Sequence, residues 1–477
     1  MSRFYTFINP LILFPLLAAA CLVYYLLPAR FRWVCLLVFS AAFYVRISSW
    51  AALVLLGAIL LNYFLGLRVA GSQGKRKTAT LIAGILLNLG LLAAFKYGTP
   101  SISTLLATDT ISAGLIYPLG LSFFTVQNIS YLVDVSKKLV PAERNLGVFA
   151  AYVSFFPKIA SGPIERARNL IPQFWQEHAF DWENITWGVR QVVFGLFKKL
   201  VIADRLAIIA NEVFDHPLEH HGLSVAAGIL CFAFQLYFDF AGYSDLALGI
   251  ARLFGIKLTV NFRLPYLAED AVEFWNRWHI SFSTWLRDYI FYPSRRYLLK
   301  NFRSAVLIAA VIPPLVTMLA SGFWHGTGWT FILWGLYHAV LYIFVVLRKQ
   351  YLGIEPFLQK QWMKYPKIVL NFVFVTLGWI FFRANSIGDI GVVFKQLLQP
   401  KWGFVILQDK VGLANIIISG TLIAGAIVFE LLLENKIKVF DQISKPVRWA
   451  IYCFLLVAIS AFGVYQASGN PFVYFRF

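Results

Sequence analysis

Apolar windows that cross, or nearly cross, about 30 Å of hydrocarbon recur from one end of this chain to the other. The clear ones run from Leu11 to Leu27, Trp50 to Leu67, Leu81 to Phe95, Ala113 to Val133, Leu223 to Phe238, Thr330 to Leu347, Val369 to Phe382, Ile416 to Leu433 and Ala450 to Val464. Windows from Val34 to Tyr44, Val148 to Ile159, Gln191 to Ile209 and Val306 to Leu319 are shorter, or interrupted by proline or charge, and read as re-entrant or tilted. The pattern predicts an all-α polytopic membrane protein with about eleven to thirteen membrane helices, the short re-entrant segments included. Irregular backbone survives at membrane depth only where protein or a water-filled cavity covers it, so the broken segments predict a cavity. One bundle uses the whole length, and residues 1–477 are expected to form a single domain.

Composition leaves lipid as the only solvent that fits. Apolar residues make up 59% of the chain and charged residues 14%, and the mean hydropathy is +0.69. A soluble domain has too little interior to hide that much apolar surface. The Ala18-Ala19-Ala20-Cys21 sequence has the look of a lipoprotein cleavage site. The apolar run continues past it, however, and the first helix is expected to be retained. Cys21, Cys35, Cys231 and Cys453 sit in apolar windows with no paired spacing and read as small core residues.

The net charge of +19 adds an orientation. Arg30 and Arg32, then Arg68 with Lys75, Arg76 and Lys77, then Lys137, Lys138 and Arg144 occupy alternate connections. The positive-inside rule makes these loops cytoplasmic and places the N-terminus and the Pro100 to Asp109 connection outside. No basic run with interleaved aromatics stands outside this pattern, which argues against nucleic acid and for membrane lipids and phosphorylated donors as partners.

Three stretches carry candidate chemistry. Phe274 to Tyr292 reads FWNRWHISFSTWLRDYIFY. On a helix, Phe274, Trp275, Trp278, Phe282, Trp285 and Tyr289 share one face and Asn276, Ser283 and Arg287 the other, which predicts an amphipathic helix lying along a membrane surface or flooring a cavity. His279 falls at the border of the two faces, either as a hydrogen-bonded interfacial histidine or as a working one. Ser321 to Val340 reads SGFWHGTGWTFILWGLYHAV and sets His325 between Trp324 and Gly326. An ionisable group at that depth is a functional candidate, and imidazole suits the proton transfer needed when a hydroxyl attacks a thioester. The alternative for His325 is a satisfied core histidine in a tight turn. His338 reads as helix packing or as support for the site. In the third stretch, Gln235 to Gly255, Asp245 and Arg252 share a helix face, as a buried ion pair or as a carboxylate that orients a histidine. Ser244 lacks a nucleophile-elbow context. The DHPLEHH run, with His216 and His220 four residues apart, reads as a solvated loop and not as a metal site. No inverted repeat of the kind found in transporters is evident.

These stretches resemble the membrane-bound O-acyltransferase family, in its bacterial branch of alginate O-acetylases and teichoic acid D-alanyl transfer proteins. Six ordered blocks carry the resemblance: YPLGLSFFTVQNISYLVDV from Tyr117, SFFPKIASGPIERARNLIPQF from Ser154, YFDFAGYSDLALGIARLFGI from Tyr237, NFRLPYL from Asn261, EFWNRWHISFSTWLRDYIF from Glu273 and FWHGTGW from Phe323. LGWIFFRANS from Leu377 and the closing NPFVYFRF favour the acetylases, whereas FYPSRRYL after Asp288 looks closer to the D-alanyl branch. The resemblance implies a funnel or tunnel with His325 at its waist and His279 as partner histidine. It further implies acetyl transfer from a cytoplasmic donor, acetyl-CoA, for O-acetylation of an envelope polysaccharide, directly or through an extracytoplasmic partner, in the bacterial inner membrane. Asp245, Ser283, Trp324 and Asp288 are candidate supporting residues. Arg277, Arg287, Lys198 and Lys199 are candidate contacts to donor phosphates, with topological anchoring as the competing role.

Overall fold

The computed structural model describes residues 9–98, 118–302, 306–401, 403–434 and 444–463. The expected Pro100 to Asp109 connection lies outside them, as does the start of the Ala113 to Val133 window. Among the described residues, seven helices are long and apolar enough to cross a membrane: Ser49–Ala70, Gly74–Gly98, Leu223–Leu253, Val306–His325, Trp329–Tyr351, Gln361–Arg383 and Lys445–Phe462. Pro10–Leu26 and Leu413–Phe429 are apolar but shorter. Other described helices, such as Leu121–Ser136 and Asp204–Asp215, are short or carry charge, in keeping with the shorter segments expected among the membrane helices. The protein is an all-α, multi-pass membrane protein.

Contacts divide the chain into two compact units. Among the described residues the first comprises 9–98, 118–192 and 243–259, and the second 193–242, 260–302, 306–401, 403–434 and 444–463. In the first, Ser49–Ala70 and Gly74–Ala93 are joined by Asn62 and Asn88, whose buried side-chain amides donate to one another at 3.1 and 2.7 Å. Amide pairs of this kind serve as polar glue where lipid offers no hydrophobic drive between helices. Ser72, Gln73 and Lys77 line one concavity with Lys138, so two of the basic connections share a face, as the alternation of charge requires.

In the second unit the helix Val306–His325 turns through Gly326-Thr327-Gly328 into the return helix Trp329–Tyr351. A Cβ on Gly322 would lie 2.4 Å from the Phe331 carbonyl oxygen, and one on Gly335 2.5 Å from that of Met318. The two backbones therefore touch, and only glycine permits it. Pro313 and Pro314 sit inside the first of these helices, and Thr317 Oγ1 donates to the Pro313 carbonyl at 2.6 Å. Arg295, Arg296 and Lys300 precede the pair, and Arg348 and Lys349 close it. The basic residues thus collect at one end, with His325 at the other.

Candidate active site

His325 is the last residue of its helix and is 6% exposed. Four rings meet it: Trp324 at 4.8 Å between centroids, Trp334 of the return helix at 5.0 Å, Phe382 of the next span at 5.3 Å and Phe282 at 5.8 Å. Glycine beside it admits a neighbour. A Cβ on Gly326 would fall 2.1 Å from the Phe331 ring, so that ring occupies the space a side chain would take.

The aromatic stretch before it departs from expectation. A single amphipathic helix from Phe274 to Tyr289 does not form. The chain makes the helix Ala271–Arg277, breaks, and resumes as Ile280–Leu286, followed by a wider turn over Arg287–Phe291. The break is at His279, whose φ of 44° is left-handed. A non-glycine residue there stores strain of about 1–3 kcal/mol, held only when its surroundings over-determine it. Asn261 does so: its carbonyl accepts from the Ile280 amide at 2.9 Å and its Oδ1 from the Ser281 amide at 3.2 Å, capping the second helix from outside. The break turns the imidazole inward. It is 1% exposed, edge-on to Phe240 at 4.6 Å and near Phe282 at 5.1 Å and Trp324 at 6.2 Å. Burial pushes its pKa down to about 3, so His279 stays neutral at physiological pH.

Phe282 and Trp324 touch both histidines and pack on each other at 4.2 Å. The two histidines therefore share one aromatic chamber. Beside it a cavity of about 410 Å³ is lined by Trp275, Asn276, Ser283, Thr284, Arg287 and Thr317, among others. The polar side chains of the broken aromatic stretch thus face a cavity, not bulk water.

Residues 128–388, more than half of the chain, match the family model described as MBOAT, membrane-bound O-acyltransferase family. The chain belongs to the membrane-bound O-acyltransferase family. It is 35% identical over 386 residues to the probable alginate O-acetylase AlgI of Azotobacter vinelandii, covering 76% of this chain and 72% of that one. It is 33% identical over 433 residues to the peptidoglycan O-acetyltransferase of Helicobacter pylori, covering 82% and 79%. Identity to the teichoic acid D-alanyltransferase of Streptococcus thermophilus is 30% over 291 residues, covering 56% and 68%. The protein is an acyltransferase.

The other candidate residues of this membrane-bound O-acyltransferase are distributed as follows. Trp324 is a wall of the chamber. Ser283 lines the cavity and donates from Oγ to the Trp278 carbonyl at 2.9 Å. Arg287 lines the same cavity, and its Nε lies 3.2 Å from Asp288 Oδ1. Arg277 is held 2.6 Å from Glu273 and also donates to the Leu264 carbonyl. Lys198 is half-buried. Lys199 is 1% exposed and bridges Asp204 at 2.8 Å and Asp239 at 2.6 Å. Asp245 belongs to the first unit, where its Oδ1 accepts from Gln191 at 2.6 Å, and Arg252 lies over the Trp187 ring at 5.5 Å. In the DHPLEHH loop, His216 and His220 face Glu219 and Glu212 at 3.9 and 3.4 Å. Among the described residues no group of three or more His, Cys, Asp or Glu side chains is placed to hold a metal ion. Residue patterning alone did not single out Phe240, Trp334 or Phe382 as chamber walls, although each lies in a stretch already notable for its aromatics.

Proposed function

We propose that the protein moves an acetyl group from acetyl-CoA, bound on the cytoplasmic side of the bacterial inner membrane, to a hydroxyl outside, for O-acetylation of an envelope or exopolysaccharide. The observation that carries this reading is the shared chamber of His279 and His325. The positive-inside rule makes the basic end of the Val306–His325 and Trp329–Tyr351 pair cytoplasmic, and His325 then stands at the far end of a spanning helix. His325 takes the proton of the attacking hydroxyl as its oxygen adds to the acetyl carbonyl, and the departing thiolate finally receives that proton. A positioned base of this kind contributes about 10² to 10⁴ in rate. His279, neutral and fixed by its backbone, orients the reacting carbonyl. Arg287 at the cavity mouth attracts donor phosphates. The acceptor is either the polysaccharide itself or a hydroxyl of an extracytoplasmic partner protein that passes the acetyl group on.

D-alanyl transfer to teichoic acid is the second reading, favoured by the FYPSRRYL turn after Asp288 and by the D-alanyltransferase relative. One experiment separates the two and tests the base. Inside-out membrane vesicles carrying the protein are supplied with labelled acetyl-CoA, or with labelled D-alanine in activated carrier form, and base-labile label in polymer is counted. Acetyl incorporation that disappears in His325→Ala and partly survives in His279→Ala is expected. Incorporation of D-alanine alone, or full acetyl transfer by a well-folded His325→Ala protein, refutes the proposal.

A further inference from the structure

Around Trp334 lies a second cluster that the proposed chemistry does not use. His338 is one helical turn after Trp334 and fully buried. Its ring centroid lies 5.1 Å from that of Trp334, 5.2 Å from Trp275 and 5.9 Å from Trp379, with Phe274 stacked at 6.3 Å. Both imidazole nitrogens and the indole Nε1 atoms of all three tryptophans are buried with no hydrogen-bond partner among the described residues. A neutral imidazole has one donor and one acceptor, and an indole one donor only. The cluster therefore holds four donors against one acceptor, and no rotation of these rings satisfies them. A buried polar group left without a partner is costly, so five in one cluster of touching rings call for a small ligand that accepts hydrogen bonds. Ordered water, which makes about three hydrogen bonds in buried sites, is the ligand of that size and chemistry.

We propose that His338 is a positioning residue: with Trp275, Trp334 and Trp379 it binds ordered water beside Trp334, and this fixes the ring on which His325 rests. The linkage is short, because Trp334 meets His325 edge-on at 5.0 Å and His338 at 5.1 Å. Trp275 also lines the 410 Å³ cavity, which gives the water a source. The inference rests on His325 being the base, and the test separates the two.

His338→Phe keeps a flat ring in the stack and removes both nitrogens, whereas His338→Gln keeps a donor and an acceptor. Both are compared with wild type and His325→Ala in the inside-out vesicle assay, with KM for acetyl-CoA measured separately. We expect the saturating rate of His338→Phe to fall about tenfold or more at unchanged KM, since small displacements of a reacting group carry losses of that order, and His338→Gln to restore most of it. Should His338→Phe fail to accumulate in the membrane, Trp379→Phe, which removes one donor from the cluster, carries the same expectation of a lower rate at unchanged KM. A wild-type rate in whichever variant carries the test, a loss that only tracks the amount of folded protein, or no rescue by His338→Gln overturns the inference. If His325→Ala is silent while His338→Phe is fully active, this inference alone falls. Activity in His325→Ala removes the reading beneath it.

Discussion

Gly326→Ala probes the site through a single methyl group. The new Cβ would lie 2.1 Å from Cδ2 and Cε2 of Phe331, while ordinary carbon contacts begin at about 3.5 Å, so something must move by more than about 1 Å. Phe331 has little room to retreat, because it is buried and edge-on to Phe382 at 5.2 Å, which itself rests on His325 at 5.3 Å. The push is thus relayed through two rings to the imidazole, or else the turn carrying His325 opens. Overpacking of this kind costs about 1–3 kcal/mol, and a misplacement of about 1 Å at a reacting group costs about 10² in rate. Gly328→Ala is the matched control: its Cβ would come no closer than 3.4 Å to the Thr330 hydroxyl, and its φ of −76° suits any residue. The assay is acetyl transfer at saturating donor, with thermal unfolding in detergent to register stability. Gly326→Ala is expected to lose a few degrees of thermal stability and about 10² in rate, and Gly328→Ala neither. Equal activity of the two variants would refute the relay.

Lys199→Met should destabilise the protein by about 3–5 kcal/mol, since it leaves Asp204 and Asp239 facing each other in a buried place, and Asp204→Asn should be far milder; unfolding midpoints in detergent decide the order. His279 is pushed down to about 3, so the folded state favours its neutral form: its contribution to stability is complete above the ordinary histidine pKa and declines as pH falls from about 6.5 towards 3. Melting temperatures of wild type should fall more steeply over that window than those of His279→Gln, and parallel curves would count against it. Cysteines placed at Thr327 and Leu352 in a background lacking the native four should label from opposite sides of the membrane, Thr327 from outside. Labelling of both from one side would overturn the orientation.

His279 and His325 stood out in the sequence as candidates because ionisable groups are rare at such depth, and the resemblance to the family is what turned candidates into expected site residues. The break at His279 did not stand out. Nothing at Trp278-His279 resembles a helix stop, and the cap that makes the break tolerable comes from Asn261, eighteen residues earlier. Lys199 shows the converse limit. Beside Lys198 it reads as a basic anchor, and only the fold brings Asp239, forty residues away, to within 2.6 Å of it. Asp245 and Arg252 share a helix face as spacing requires, yet what each meets is decided by other helices, Gln191 for one and Trp187 for the other. The role proposed for His338 hinges on Trp334 one turn before it and on Trp275 and Trp379 from separate segments, and no local pattern announces those two.

The backbone contact at Gly322 and Gly335 has a mechanical consequence. Where two helices touch through main-chain atoms there is no layer of side chains between them, so at Gly322 and Gly335 the hairpin carrying His325 has nothing soft to slide on. The opposite wall of the chamber is built otherwise: the chain from Ala271 to Phe291 is cut into short helices by a left-handed residue and a widened turn, and it is Asn261 that pins the break from outside.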